Sequence, residues 1–278
     1  MVRQTILRRH GWRVALVLGL LAGPFGLSLA LGQRGNEKHI EPGVSALDPG
    51  EINKPDKDGE SKLWVLDFRF KPLRTIKVNI PGRGERVCLY LWYQVINKTG
   101  KPRTVVPNIV LVDALRGKVY PDEILPSVQK AIADIEDPDH VTRKADDWRN
   151  IRNSVTILRE PIPPQLPNAV PRPITGVAIW CEPEEPTDKD DAETRKLKLE
   201  QMERQPRLAD LTSFSICISG LSNGIAESDD PSGQKKVLRR KTLQLNFLRK
   251  GDATLWRDRD VRYEGHEWIY RASLSLDK

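Results

Sequence analysis

The chain is poor in the residues that build metal centres and disulfide scaffolds, with three cysteines and four histidines among 278 residues. The cysteines, Cys88, Cys181 and Cys217, are too few and too far apart for a zinc site or a disulfide framework. No pair of histidines has the spacing of metal ligands. The sequence therefore predicts no metal site and no cofactor.

Each cysteine lies inside an apolar, strand-like segment, and this predicts three small, buried side chains. An oxidising compartment would permit one disulfide, and Cys181–Cys217 is the pairing we expect in that case. Both interpretations leave an odd number of free cysteines.

Acidic residues are absent from the first 32 residues, which combine basic residues with the apolar run 14–31. The basic residues are Arg3, Arg8, Arg9 and Arg13. This order is typical of an export signal, and Ala30-Leu31-Gly32 predicts cleavage before Gln33. The alternative is an uncleaved N-terminal anchor, because the run approaches the length that spans a bilayer. Both interpretations place residues 33–278 outside the cytoplasm, in the periplasm, outside the cell or anchored to the membrane, with membrane contact only through residues 14–31.

The net charge of +7 does not indicate a nucleic-acid-binding protein. Removing the four N-terminal arginines from the 45 basic residues leaves 41, against 38 acidic residues, a difference of 3. Binding to a phosphate backbone needs a concentrated basic patch. The densest segment, 235–241, has no aromatic residues among its positive charges, and it is predicted to be a solvated turn before a strand.

Helical periodicity is also scarce, whereas short strand-like segments recur between turn residues from residue 62 onwards. Residues 33–61 are polar and rich in glycine and proline, which predicts a disordered spacer. A parallel α/β fold needs a helix between most strands, and only two are predicted, at 126–136 and 190–205. The sequence therefore predicts one domain, residues 62–278, that is mainly β: an antiparallel immunoglobulin-like β-sandwich with two short helical insertions.

Strand predictions cover most of this domain. The segment 87–96, VCLYLWYQVI, is apolar on both faces and predicts a central strand. Further strands are predicted at 64–70, 75–80, 103–112, 119–120, 153–158, 175–180, 213–219, 241–249 and 267–276. The charged segment at about 184–207 is predicted to be a solvated helical insertion, and 220–234 is predicted to be a loop.

Residues 220–224 have the sequence pattern G-x-S-x-G of a hydrolase nucleophile elbow, and they follow an apolar strand, as such an elbow does. Asp252, Asp258 or Asp260 and then His266 follow in the chain order of an α/β-hydrolase triad. A nucleophile elbow requires a helix directly after the serine, whereas the residues after Ser222 favour a loop. We therefore predict a glycine-rich turn and no catalytic residues. The alternative is a small secreted serine hydrolase that uses Ser222 and His266.

Acidic and aromatic residues form two further patterns. Asp188, Asp190, Asp191 and Glu193 could hold calcium loosely, but they lack the glycine and distal glutamate of a calcium loop. The start of a helix, which favours negative charge, explains them better.

Five tryptophans in or beside strands could line a sugar or peptide surface, but core packing is the favoured interpretation. They are Trp64, Trp92, Trp180, Trp256 and Trp268.

Several segments resemble exported proteins of planctomycete-type bacteria that have no assigned activity. They are NKTGKPRTVVPNIVLVD (97–113), NSVTILREPIPPQLPNAVPRPITGVAIW (153–180), GLSNG (220–224), RRKTLQLNFLRKGD (239–252) and EWIYRA (267–272). The turn N-x-T-G and the strand after it also resemble bacterial immunoglobulin-like domains carried on exported proteins. Neither resemblance implies a site residue.

These patterns together predict an exported, non-enzymatic β-sandwich module with a binding or structural role at the cell envelope. Its partner would be a protein or another envelope component, and not a nucleic acid. The prediction rests on the export signal and on strands that bring no convincing catalytic set.

Overall fold

The computed structural model describes residues 45–47 and 63–272, apart from residues 145, 148, 171, 230–235, 253 and 254. The predicted export signal, its cleavage site before Gln33 and the end of the predicted closing strand lie outside the described residues. Eleven β-strands and two α-helices are defined within them, and the strands form two antiparallel sheets. The prediction of a mainly β, antiparallel fold is confirmed.

The first sheet is organised around its longest strand, β4. Its strands are β1 (Ser45–Leu47), β2 (Asp67–Phe70), β3 (Arg74–Ile80), β4 (Gly84–Ile96) and β7 (Ile174–Cys181). Strands β2 and β3 pair with successive parts of one edge of β4, and β7 pairs with the other edge. Since β4 has neighbours on both sides, it is the central strand that its apolar sequence predicts.

Strand β1 pairs with β2 in antiparallel register. Its residues belong to the segment 33–61, which the sequence predicts to be a disordered spacer, and for these three residues the prediction is wrong. The reason is that the outer edge of β2 presents unpaired backbone groups, with which an extended segment can pair whatever its side chains.

The second sheet is organised in the same way around β10. Its strands are β5 (Asn108–Asp113), β6 (Lys118–Pro121), β8 (Ser213–Ser219), β9 (Ile225–Asp229), β10 (Lys236–Arg249) and β11 (Val261–Ala272). Strands β8 and β9 pair with successive parts of one edge of β10, and β11 pairs with the other. The sequence predicts no strand at β9 and a later start for β11. Both predictions are wrong because β10 begins five residues earlier than predicted and offers a longer edge to its neighbours.

Side chains from both sheets meet in one hydrophobic cluster. Alternate residues of β4, β5, β8 and β10 point into it, as the two-residue period of a strand requires. Fully buried members are Leu89 and Leu91 of β4, Ile109 and Leu111 of β5, Ile216 and Ile218 of β8, and Leu243 and Leu245 of β10. Trp180 is also fully buried, and its indole N–H donates to the Tyr120 carbonyl at 3.0 Å. The predicted core role of tryptophan is confirmed there, and Trp64, Trp256 and Trp268 pack against the cluster at its margin.

Helix α1 (Pro126–Glu136) covers the opposite face of the first sheet, at the predicted bounds. It buries Val128, Ile132 and Ala133, whereas Ile135, predicted to lie on the buried face, is 58% exposed. Beneath the helix lie apolar side chains of β4 and β7, including both cysteines of a disulfide.

The disulfide joins Cys88 to Cys181, and Cys217 is free and buried. All three cysteines are buried, as predicted, but two of them are joined, and the expected pairing of Cys181 with Cys217 is wrong. The register of β4 and β7 places Cys88 directly opposite Cys181, while Cys217 belongs to the second sheet.

Helix α2 (Ala192–Arg204) is the predicted solvated insertion between β7 and β8, and none of its residues is buried.

The predicted strand at 153–158 is wrong, because residues Thr156–Arg159 form a 3₁₀ helix. The Asn153 side-chain oxygen accepts hydrogen bonds from the N–H groups of Val155 and Thr156, and so turns the chain at this point.

Candidate functional site

Residues 220–224 form the turn that connects β8 to β9, as the glycine-rich sequence predicts. Gly220 has φ +89°, and a Cβ atom at this position would overlap the carbonyl group of Val106. A Cβ atom on Gly224 would lie 2.9 Å from the Cβ atom of Lys241. The two glycines therefore let the turn lie directly against neighbouring backbone and strand β10.

The hydroxyl group of Ser222 is engaged within this turn. It donates to the Trp64 carbonyl oxygen at 2.7 Å and accepts from the Gly224 N–H at 3.0 Å. The Asn223 side-chain oxygen accepts from the Trp64 N–H at 2.8 Å. These bonds join the turn to the segment that leads into β2, and they direct the Ser222 proton to a carbonyl group.

His266 lies on β11, on the opposite edge of β10 from the turn 220–224. It is paired with Leu245, whereas the turn is joined to β10 at Lys241, whose N–H donates to the last residue of the turn. Four residues of strand separate these positions by about 13 Å. The structure therefore does not bring Ser222 and His266 together.

Two further members of the triad pattern, His266 and Asp258, are bound by other residues. The His266 ring nitrogen Nδ1 lies 2.8 Å from the Tyr263 hydroxyl group. The Asp258 carboxylate accepts from the Thr75 N–H at 3.0 Å, from its hydroxyl at 2.9 Å and from the Trp256 indole at 3.0 Å. Asp258 thus joins β3 to the segment between β10 and β11, which is a structural role.

A groove of about 500 Å³ lies beside the turn 220–224. Its lining includes Trp64, Val106 and Ile225 as apolar members and Asn108, Ser219 and Arg240 as polar members. Val106 and Ile225 are 64% and 55% exposed. The volume lies within the range of ligand sites, in which a small number of polar groups fix the orientation of the ligand.

The indole of Trp64 is fixed at the groove by the turn 97–100. The Arg103 guanidinium lies 5.0 Å from the centre of a Trp64 ring, and its Nε donates to the Thr99 hydroxyl at 2.8 Å. Asn97 in turn accepts from the N–H and hydroxyl of Thr99. One wall of the groove is therefore held by hydrogen bonds before any ligand arrives.

Residues 236–241 of the basic segment are not the predicted turn, because β9 pairs with residues 236–240 and makes them part of β10. Alternation along the strand places neighbouring positive charges on opposite faces. Arg239 donates to the Ser228 hydroxyl, and Lys241 is buried 5.6 Å from the centre of a Trp268 ring. Burial lowers the pKa of Lys241. Arg240 reaches the groove, and this placement depends on the strand pairing.

The acidic cluster lies at the start of α2, as predicted. The Asp191 side chain accepts from the Thr194 N–H at 2.7 Å and caps the helix. Asp190 accepts from the Thr187 N–H and pairs with Lys198, and these two contacts hold the pKa of Asp190 below its ordinary value. Among the described residues, no three histidine, cysteine or acidic side chains are placed to hold a metal ion.

Comparison of the chain with family models, curated proteins and solved structures finds no match. Within the described part of the chain, no helix is both long and apolar enough to cross a membrane. The groove and the side chains around it are therefore the features that bear on function.

Proposed function

We propose that this chain is an exported immunoglobulin-like β-sandwich that binds a partner at the cell envelope and is not an enzyme. The groove beside the turn 220–224 is the binding surface. The observation that carries this proposal is the exposure of Val106 and Ile225 on a concave surface whose aromatic wall, Trp64, is held by neighbouring hydrogen bonds.

The fixed position of Trp64 supports a binding role. Its backbone N–H and carbonyl are both bound by the turn 220–224, and its ring is covered by Arg103. A surface that is ordered in advance loses little conformational entropy on binding, so more of the contact energy becomes affinity. The polar residues at one end of the groove fix the orientation of the ligand, since a ligand that does not form hydrogen bonds with them leaves them unpaired.

The disulfide supports export. Cys88 and Cys181 lie opposite each other in adjacent strands and are buried beneath α1. Disulfides form and persist in oxidising compartments and are rare in the cytosol. Together with the basic and apolar N-terminal pattern, the bond favours a location outside the cytoplasm.

The core shared by two antiparallel sheets supports the immunoglobulin-like architecture.

Small aromatic probes test the groove. Phenol and indole are titrated separately into the ¹⁵N-labelled chain, and binding is followed by amide chemical shifts. We expect shifts concentrated at Trp64, Val106 and Ile225. Val106→Asp should weaken binding about tenfold, because a carboxylate replaces apolar contact area. Leu115→Asp is the matched control, since Leu115 is 69% exposed in the β5–β6 turn, away from the groove. Equal binding by both variants would overturn the proposal.

Mass spectrometry tests the export part of the proposal. The chain recovered from outside the cytoplasm should begin near Gln33, or remain membrane-bound with residues 33–278 outside. Alkylation before reduction should modify one cysteine at most, because Cys88 and Cys181 are joined. An intact soluble chain in the cytoplasm that begins at Met1 and carries three free thiols would contradict it.

A further inference from the structure

Two arginines face each other on the outer surface of the second sheet. Arg240 of β10 and Arg271 of β11 are direct partners in the antiparallel register, so their side chains leave the same face of the sheet with Cβ atoms about 5 Å apart. Like charges placed directly opposite each other destabilise a sheet. Within the described part of the chain, no carboxylate forms an ion pair with either arginine.

A small cavity of about 20 Å³ is lined by both arginines. This volume admits one water-sized group, such as one oxygen atom of an anion whose other atoms lie outside the cavity. The cavity also meets Asn108, Ser219 and the thiol-bearing Cys217. Arg240, Asn108 and Ser219 line the larger groove as well, so the cavity forms the polar end of that groove.

The Arg271 guanidinium is incompletely bound. Its nitrogen Nη1 is buried and has no hydrogen-bond partner among the described residues. Buried donors of charged groups are normally paired, because an unpaired one retains its full desolvation cost. The neighbouring Cys217 thiol does not neutralise the guanidinium. Burial raises the thiol pKa, although the Arg271 charge opposes this, so the thiol stays protonated at neutral pH.

Two acidic side chains described on the same face, those of Glu267 and Glu227, have other partners. Glu267 is opposite Gln244, four residues along β11 from Arg271, and it accepts a hydrogen bond from the Gln244 amide at 3.1 Å. Glu227 of β9 lies 3.6 Å from the Lys236 ammonium. Neither carboxylate forms an ion pair with Arg240 or Arg271, so the arginine pair favours a ligand of negative charge.

We propose that the arginine pair, Arg240 and Arg271, binds one oxyanion group, a carboxylate or a phosphate, of a ligand whose apolar part lies along the groove. This inference rests on the proposed binding function and adds the chemistry of the ligand. A planar guanidinium matches the two oxygens of such a group, and charge-assisted hydrogen bonds are about twice as strong as neutral ones. The Asn108 amide at the cavity can add a neutral donor.

Four probes separate the two parts of the ligand. Hexanoate combines an alkyl chain with a carboxylate, hexan-1-ol has the chain alone, inorganic phosphate has the anion alone, and sodium chloride controls for ionic strength. In the ¹⁵N-labelled chain, hexanoate should shift amides near both Ile225 and Arg271 and bind at least about tenfold more tightly than hexan-1-ol. Phosphate should shift only the amides near the arginine pair.

Two glutamine variants test the residues. Arg271→Gln should reduce hexanoate affinity at least about tenfold, to that of hexan-1-ol. Arg262→Gln is the control, because Arg262 is an exposed arginine of the same strand that does not line the cavity. Without anions, Arg271→Gln should unfold at or above the temperature of the parent chain, because the repulsion with Arg240 is removed. A clearly lower temperature would show that Arg271 is a structural residue and overturn the proposal.

The outcomes distinguish this inference from the function on which it rests. Equal binding of hexanoate and hexan-1-ol near Ile225 would overturn the anion site and leave the groove proposal standing. Phosphate binding at the arginine pair, without any shift near Ile225 from the two alkyl probes, would support the anion site and count against the groove. Equal hexanoate binding by Arg271→Gln and Arg262→Gln would also overturn the anion site.

Discussion

Glu136, the last residue of α1, connects this helix to the first sheet. Its carboxylate is 3% exposed and accepts hydrogen bonds from the Tyr90 hydroxyl at 2.8 Å, the Arg74 guanidinium at 3.0 Å and the Lys71 ammonium at 3.1 Å. Burial by itself raises the pKa of Glu136, but the hydrogen bonds from Tyr90 and Lys71 and the two positive charges outweigh it and lower the pKa. The ionised carboxylate therefore stabilises the folded state.

Replacing Glu136 by glutamine keeps an oxygen acceptor for Tyr90 and removes the charge that Lys71 and Arg74 contact. A hydrogen bond to a charged group contributes about 1.5–3 kcal/mol. The Lys71 side chain is 14% exposed and the Arg74 side chain 48%, so solvent screens the second contact more strongly. We expect the free energy of unfolding at neutral pH to fall by about 2 kcal/mol, most of it from the Lys71 contact.

Urea unfolding of parent and variant at several pH values measures this effect. A lowered pKa in the folded state means that the contribution is fully present above the unfolded value, about 4.3, and is lost as the pH falls through the folded value. The difference between parent and Glu136→Gln should therefore shrink in acid. Glu85→Gln is the control, because the Glu85–Lys77 pair is 63% and 64% exposed and should contribute less than about 0.5 kcal/mol. A loss no larger than that of Glu85→Gln, or one that is independent of pH, would refute the reasoning.

Three further predictions concern the insertion, the disulfide and the serine. Replacing residues 188–204 with a short Gly/Ser linker should change the free energy of unfolding by less than about 1 kcal/mol, because loop-closure entropy varies slowly with length. Ile179→Asp should unfold the domain by burying an unpaired carboxylate, so an equally damaging deletion would show that α2 supports the core. Changing Cys88 and Cys181 together to alanine should lower the free energy of unfolding by about 4 kcal/mol in urea titrations, because the bond closes a loop of 93 residues; an unchanged midpoint would contradict this. A fluorophosphonate probe should not label the chain, and labelling that disappears in Ser222→Ala would establish the hydrolase instead.

Local patterns in the sequence are sufficient for the main elements of the fold. The apolar run of β4, the alternation of apolar and polar residues in β3 and the helical spacing of apolar residues in α1 are each visible within one segment. These elements are therefore predictable without knowledge of the segments that pack against them. The charged composition of α2 likewise predicts that the helix contributes nothing to the core. The glycines of the turn 220–224 indicate a turn, since only glycine tolerates the backbone contact of Gly220 with Val106.

The features that matter for function depend on pairing between strands that are far apart in the sequence. Register alone decides that Cys88 meets Cys181 and that Arg240 meets Arg271, because a shift of one residue would turn every side chain to the other face. Strand β9 exists because β10 offers it an edge, although its own residues favour a loop. The groove draws its lining from the approach to β2, the start of β5 with the residues before it, the end of β8, the turn 220–224, the start of β9 and β10, and no single segment contains the pattern of a site. The sequence by itself therefore determined the central strands and both helices, and the tertiary structure decided where edge strands such as β9 form and which side chains come together.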